Sequence, residues 1–417
     1  MHISQIYIRK IFVVIIVLIF ALLTGCGSNT EPQNNSESIN STEKDDDVQD
    51  YDLPISEKNM SQASERITPI MQHYHDIYMM ADKGTASNIV LDNESIKEIQ
   101  EDIASDNHAV ATPDHYTNML CYEKIDHFLK ACQSGKPGKV FFYKVADDGG
   151  LTEYEYSFDG EDMYVTAHVA NWINEYPQIT YSRYSKISEW RYTDEGWFCY
   201  ELCVPEYPEV TEMVDGSVLI RVKPMPEECI EASKKYVLGL AYQGNNLLRS
   251  NWDEGHLEGL DYNGLYEYLY KIDKNERFFL QEDKAGIPGE AFETLIMKYI
   301  PVSRESLRKY AAYDEDRDIY YWARLGCMNY APTPFDTSYP EVTDIKENPD
   351  GTITLTVNVV CEMLFNNEAA ITHELTIKEE SDGCFMYMGN KILNDGINDI
   401  PEYQYRIQLP PQGMLDI

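Results

Sequence analysis

"NPDGTITLTVNVV" occupies residues 348–360. Its first four residues are turn chemistry: Pro349 presets one backbone angle, and Asp350-Gly351 tolerate the left-handed ones. After the turn, Ile353, Leu355, Val357 and Val359 alternate with threonine and asparagine. A period of two sets the aliphatic side chains on one face, which predicts a half-buried strand. "ITHELTIK" (371–378) alternates in the same way, "SDG" (381–383) turns the chain, and "CFMYM" (384–388) resumes it. Runs joined by such short turns predict antiparallel hairpins, since a parallel crossover needs a dozen residues or more.

The same grammar appears earlier. "VFFYKV" (140–145), the turn "ADDGG" and "LTEYEYSF" (151–158) form one hairpin. Asp159-Gly160 precedes the alternating Val165, Ala167 and Val169. "SEWRY", "TDEG" and "WFCYELCV" (197–204) form another. "DEGWFCY" (194–200) and "SDGCFMY" (381–387) are alike, which raises the possibility of a remote duplication.

Helical spacing precedes each set of strands. Thr68 suits an N-cap and Pro69 the first turn, ahead of Ile70, Met71, Tyr74, Ile77 and Tyr78. Further helices are expected over 94–105 and 118–132. Tyr262, Leu265, Tyr266 and Leu269 mark another, as do Phe292, Leu295, Ile296 and Tyr299, and Ser303 suits the cap of a last one. The expected fold class is α+β, with helices followed by antiparallel hairpins in two lobes. Lobe one is expected over 63–206 and lobe two over 276–417, with 207–275 as a connector carrying the strand "SVLIRVKP" (217–224) and helices.

Residues 26–62 are polar and acidic with almost no large aliphatics, so they read as a disordered tether. A coil of that length reaches roughly 30–35 Å. Ahead of it, Arg9 and Lys10 precede the apolar run "IFVVIIVLIFALL" (11–23). That run is too short for a comfortable membrane span, and 1–25 read as a secretory signal peptide. Leu23-Thr24-Gly25-Cys26 resembles the lipobox of bacterial lipoproteins. The resemblance implies diacylglycerol on the Cys26 thiol, with Leu23, Thr24 and Gly25 recognised by a dedicated signal peptidase. It also implies a bilayer partner and an address on the outer face of the cytoplasmic membrane. Residues 67–110, "ITPIMQHYHDIYMMADKGTASNIVLDNESIKEIQEDIASDNHAV", resemble uncharacterised lipoproteins of low-GC Gram-positive bacteria, a family that brings no activity with it.

Composition bounds the rest. Lys and Arg number 34 and Asp and Glu 71, a net charge of −37. Such a chain repels nucleic acid, which is excluded as a partner. Besides Cys26 there are eight cysteines. An exported chain invites disulfides, but spacing names no pair, and Cys199 and Cys203 lie about 13 Å apart on a strand. His73, His75, His108, His115 and His127 crowd one region. Two apart on a helix, however, His73 and His75 point about 200° apart and cannot share an ion. Asp314, Asp316 and Asp318 alternate like a calcium loop, but Ile319 and Leu325 stand where glycine and glutamate would be needed. Ser306-Leu307-Arg308-Lys309 has the S-x-x-K spacing without its companion motifs, and Ser306 suits a helix first turn. His373-Glu374 lacks the second histidine of a zinc helix. Between Ile371 and Leu375, His373 reads as a hydrogen-bonded core histidine.

No metal or cofactor is expected, and no catalytic residue stands out. The 32 tyrosines fit half-buried sheets first and recognition surfaces second. The expected role is binding or envelope interaction with a surface ligand or protein. A wall-glycan hydrolase would need two carboxylates about 5–10 Å apart in one cleft. A transporter's solute-binding protein would show repeated βαβ units or a deep cleft between the lobes.

Overall fold

The computed structural model describes residues 49–85, 88–280, 285–363, 369–381 and 383–407. Cys26 and the signal residues Leu23, Thr24 and Gly25 lie outside them. The fold is α+β, with helices packed on antiparallel sheets.

The first sheet has seven strands in sequential order: β1 (Val110–Ala111), β2 (Gly138–Val145), β3 (Leu151–Phe158), β4 (Met163–Ile173), β5 (Tyr176–Tyr192), β6 (Trp197–Leu202) and β7 (Ser217–Arg221). All pairings are antiparallel except the short β1–β2 ladder. Alternation gives this sheet two apolar faces. Phe142, Tyr156 and Phe158 meet α4 (Glu123–Gln133) through Ile125, Phe128 and Leu129. Tyr143, Val145 and Leu151 face α1 (Glu57–His73), α2 (His75–Met80) and α3 (Asn93–Ser105).

Four sequence expectations are corrected here. The first helix begins at Glu57, capped by Ser56, rather than at Thr68, and it contains Pro69. Its buried stripe, Ala63, Ile67 and Met71, runs along the sheet on both sides of the proline, so packing overrides the preference of proline for a first turn. The expected tether therefore stops short of 62: Leu53 N–H donates to the Tyr184 carbonyl and Lys186 N–H to that of Asp50. The helix also breaks at Tyr74, which lets Tyr78 stack on Trp172 at 4.7 Å while Tyr74 meets the same ring edge-on at 5.7 Å. The helix expected over 118–132 starts only at Glu123, because Leu120 exchanges two backbone hydrogen bonds with Val110.

The segment expected as a connector is divided between the lobes. Its strand is β7, the edge of the first sheet. From Met225 onward it belongs to the second lobe's core. That core gathers α5 (Glu227–Ala232), β8 (Trp252–Asp253) and α6 (Tyr262–Lys274) with α7 (Gly289–Tyr299) and α8 (Arg304–Tyr310). A small sheet joins β9 (Ile287–Pro288), β10 (Tyr313–Asp314) and β11 (Ile319–Tyr320). The larger one orders β12 (Tyr339–Glu347), β13 (Ile353–Val360), β14 (Ile371–Glu379) and β15 (Phe385–Ile392), with β8 at its edge. Leu355, Val357, Leu375, Ile377 and Tyr387 turn inward from this sheet, as the alternation requires.

The two lobes are joined by packing, an ion pair and hydrogen bonds. Trp197 and Cys199 pack on Val360, and Arg221 pairs with Glu341. Tyr116 donates to the Pro340 carbonyl at 2.5 Å, and Asn118 exchanges hydrogen bonds of 2.8 and 2.9 Å with the Met225 backbone.

Candidate functional site: a cationic groove on the first lobe

Buried Glu153 anchors the site. It sits on β3 in the face turned toward α1, with no exposed surface. A carboxylate there requires partners, because an isolated buried charge costs several kcal/mol. Arg66 comes down from α1 and donates from Nε and Nη2 to its two oxygens at 2.9 and 2.7 Å. Tyr143 of β2 adds its hydroxyl at 2.9 Å. The Arg66 guanidinium lies over the Phe141 ring, 4.5 Å from its centre. Burial and the Glu153 carboxylate push the Tyr143 phenol far above its ordinary range, so it stays a donor.

This arrangement fixes one edge of the guanidinium and leaves Nη1 without a hydrogen-bond partner among the described residues. Arg66 lines a cavity of about 610 Å³ between α1, β2 and the chain at 106–109. Lys124 of α4 and Lys139 of β2 line it too. Lys124 also donates to the Asn107 carbonyl, and Lys139 pairs with Glu155 across the strands. Pro69, Ile70 and Val140 supply an apolar wall. His108 meets Tyr143 edge-on at 5.2 Å, and burial followed by the Lys124 charge lowers its pKa, so it is neutral at pH 7. His73 stands at the rim with Nδ1 2.9 Å from Asp102.

A cavity of this size is ordinary for a small-molecule or peptide-segment site. Three basic side chains line it against one acidic one, Asp106, and the buried Glu153 carboxylate is already committed to Arg66. The arrangement is suited to holding an anion with an apolar body.

A family model described as a family of unknown function, DUF6070, matches residues 60–406. The chain belongs to that family. No curated protein and no solved structure matches it. The match takes in both lobes of this DUF6070 chain and every residue of the groove.

The other sequence candidates of this DUF6070 chain lie elsewhere. His75 meets Trp172 edge-on, His115 stacks on Tyr339 at the lobe junction, and His127 is exposed on α4. Only His73 and His108 of the five come together, at the groove. No cluster of three metal-ligating side chains occurs among the described residues. Asp314 and Asp318 flank the tight β10–β11 turn and accept from the Tyr321 and Tyr313 hydroxyls. Ser306 N–H donates to the Ser303 cap. His373 is a core residue, held between Asn390 at 2.6 Å and the Tyr242 hydroxyl at 2.9 Å. The large buried tyrosines, Tyr156, Tyr262, Tyr320 and Tyr387 among them, are packing residues.

Arg66, Lys124 and Lys139 were not singled out in the sequence. Spacing could not have found them, because they sit on three elements. A local charge count could have helped. Residues 123–144 hold Lys124, Lys130, Lys136, Lys139 and Lys144 against only Glu123 and Asp126, in a chain otherwise dominated by acids.

Proposed function

We propose that this chain is a non-catalytic surface lipoprotein that captures an anionic group in the groove of its first lobe. In this reading diacylglycerol on Cys26 holds it at the outer face of the cytoplasmic membrane. The observation that carries the binding role is that Arg66, Lys124 and Lys139 outnumber the one acidic lining residue, Asp106, around one cavity in a chain of net charge −37. Glu153 does not cancel this preference. It lies under Arg66, orients it, and leaves its outer N–H groups for a ligand. The lipobox supports the anchor: two acyl chains hold a protein to a bilayer stably, where one is marginal.

Two experiments test these parts separately. Cys26→Ala is expected to move the protein from the membrane fraction to the medium, or to leave it unprocessed. Unchanged, detergent-dependent fractionation would overturn the anchor. For the groove, titration calorimetry with inorganic phosphate and with succinate should show binding that weakens as salt rises. The double variant Lys124→Gln/Lys139→Gln is expected to bind about tenfold more weakly, the loss of two partly exposed charge contacts. Affinity unchanged by that variant, or no binding of either anion, would overturn the assignment.

A further inference from the structure

The groove contains an open sheet edge. β1 covers β2 only at Tyr143 and Lys144. The parity of the ladder settles which backbone groups the rest of β2 leaves uncovered. Tyr143 N–H donates to Ala109 of the β1 side at 2.8 Å, and Ala146 N–H donates to Gly150 of the β3 side at 2.9 Å. The β2–β3 register runs without a bulge from Gly138 to Val145. In an antiparallel ladder successive residues point their N–H and C=O groups to opposite sides. Odd-numbered residues of β2 therefore point away from β3, and Lys139 and Phe141 do so where β1 is absent. Their main-chain groups have no hydrogen-bond partner among the described residues, and both residues line the cationic cavity.

We propose that the groove takes an extended acidic peptide segment of another protein, added as a further strand along Gly138–Phe142. This rests on the anion-binding reading above and names the ligand class for it. The uncovered stretch is about 17 Å long at 3.4 Å per residue, enough for about five peptide residues. Main-chain pairing with Lys139 and Phe141 supplies affinity that is indifferent to sequence, and the pockets beside the edge supply selection. Those pockets choose charge. The side chains of Lys139 and Phe141 share the face on which Arg66 lies, so alternate residues of an added strand meet Arg66 and Lys139 and are best acidic. Lys139 at the rim also disfavours an uncharged or basic strand, the usual way an open edge is guarded against indiscriminate pairing.

The test uses the full chain and a labelled hexapeptide of alternating glutamate and valine, acetylated and amidated. Fluorescence anisotropy is expected to show binding, and hydrogen exchange is expected to slow at the Lys139 and Phe141 amides when the peptide is present. Lys139→Ala is expected to weaken binding about threefold through lost charge. Lys139→Pro should cost a further tenfold, because it removes the outward N–H. The ladder to β3 does not use that N–H, and proline is tolerated at such an edge position. Both variants should bind phosphate alike. Peptide binding without protection of the two amides, or equal affinity of the alanine and proline variants, would overturn strand addition. Phosphate binding without peptide binding would overturn it and leave anion capture standing, while binding of neither would remove both. Protection of the two amides in the chain alone would show the edge already covered by the chain itself, and would also overturn the proposal.

Discussion

Asp336→Ala is expected to destabilise the second lobe by about 3–5 kcal/mol, the cost of stranding a buried charge. Arg249 and Asp336 are both almost wholly enclosed, each side chain being 3% exposed. Arg249 Nη1 donates to Asp336 at 2.7 Å and to the Tyr242 carbonyl at 2.7 Å, and Nη2 donates to the Pro401 carbonyl at 2.6 Å. The other oxygen of Asp336 accepts from the Thr333 backbone and hydroxyl at 2.6 and 2.7 Å and caps the turn Pro334–Thr337. Removal of the carboxylate uncaps that turn. It also leaves a guanidinium, 5.2 Å from the centre of the Phe335 ring and 5.5 Å from that of Tyr403, with no counter-charge. Urea unfolding should show a lower midpoint. Arg249→Met/Asp336→Leu should recover most of the loss, since an apolar pair of similar volume is often as stable as the ions it replaces. A single variant as stable as the parent would refute this account of the pair.

Acid sensitivity through His373 should come close in size. Complete burial lowers its pKa from 6.5 to about 4, while the hydrogen bond to Asn390 pulls weakly the other way. The unfolded chain takes up this proton near pH 6.5, and the folded chain does so only near pH 4. The stability is therefore fully present above pH 6.5 and is lost progressively as pH falls to about 4. It amounts to about 3 kcal/mol at 1.36 kcal/mol per unit. Unfolding free energies of the parent and of His373→Gln, measured from pH 7.5 to 4, should differ in slope across that window. Parallel curves would mean that the imidazole is protonated in the folded state or is not enclosed.

Much of the fold was legible because it rests on local rules. Ile353, Leu355, Val357 and Val359 declared their face by alternation, and the turns at Asp350-Gly351 and Asp159-Gly160 declared the hairpins. Ser303 and the 262–269 stripe likewise marked their helices. The misreadings fall where packing outweighs local preference. Pro69 reads as a helix start until Ala63 and Ile67 are seen to share its helix on the sheet. Residues 225–275 read as a connector until Trp252 pairs with Asn390 and Leu265 enters the same core as the β13 side chains.

The sequence by itself determined the α+β class, the strand faces, the acidity of the chain and the N-terminal motif around Cys26. Each of these depends on neighbours within a few residues, on composition or on a short contiguous motif. Only the tertiary structure decided that Arg66, Lys124 and Lys139 share one cavity, that Glu153 is the buried support beneath Arg66, and that β2 keeps an open edge there. Those facts depend on how α1 crosses the sheet and on how far β1 extends, and both are set by long-range packing that no local period encodes.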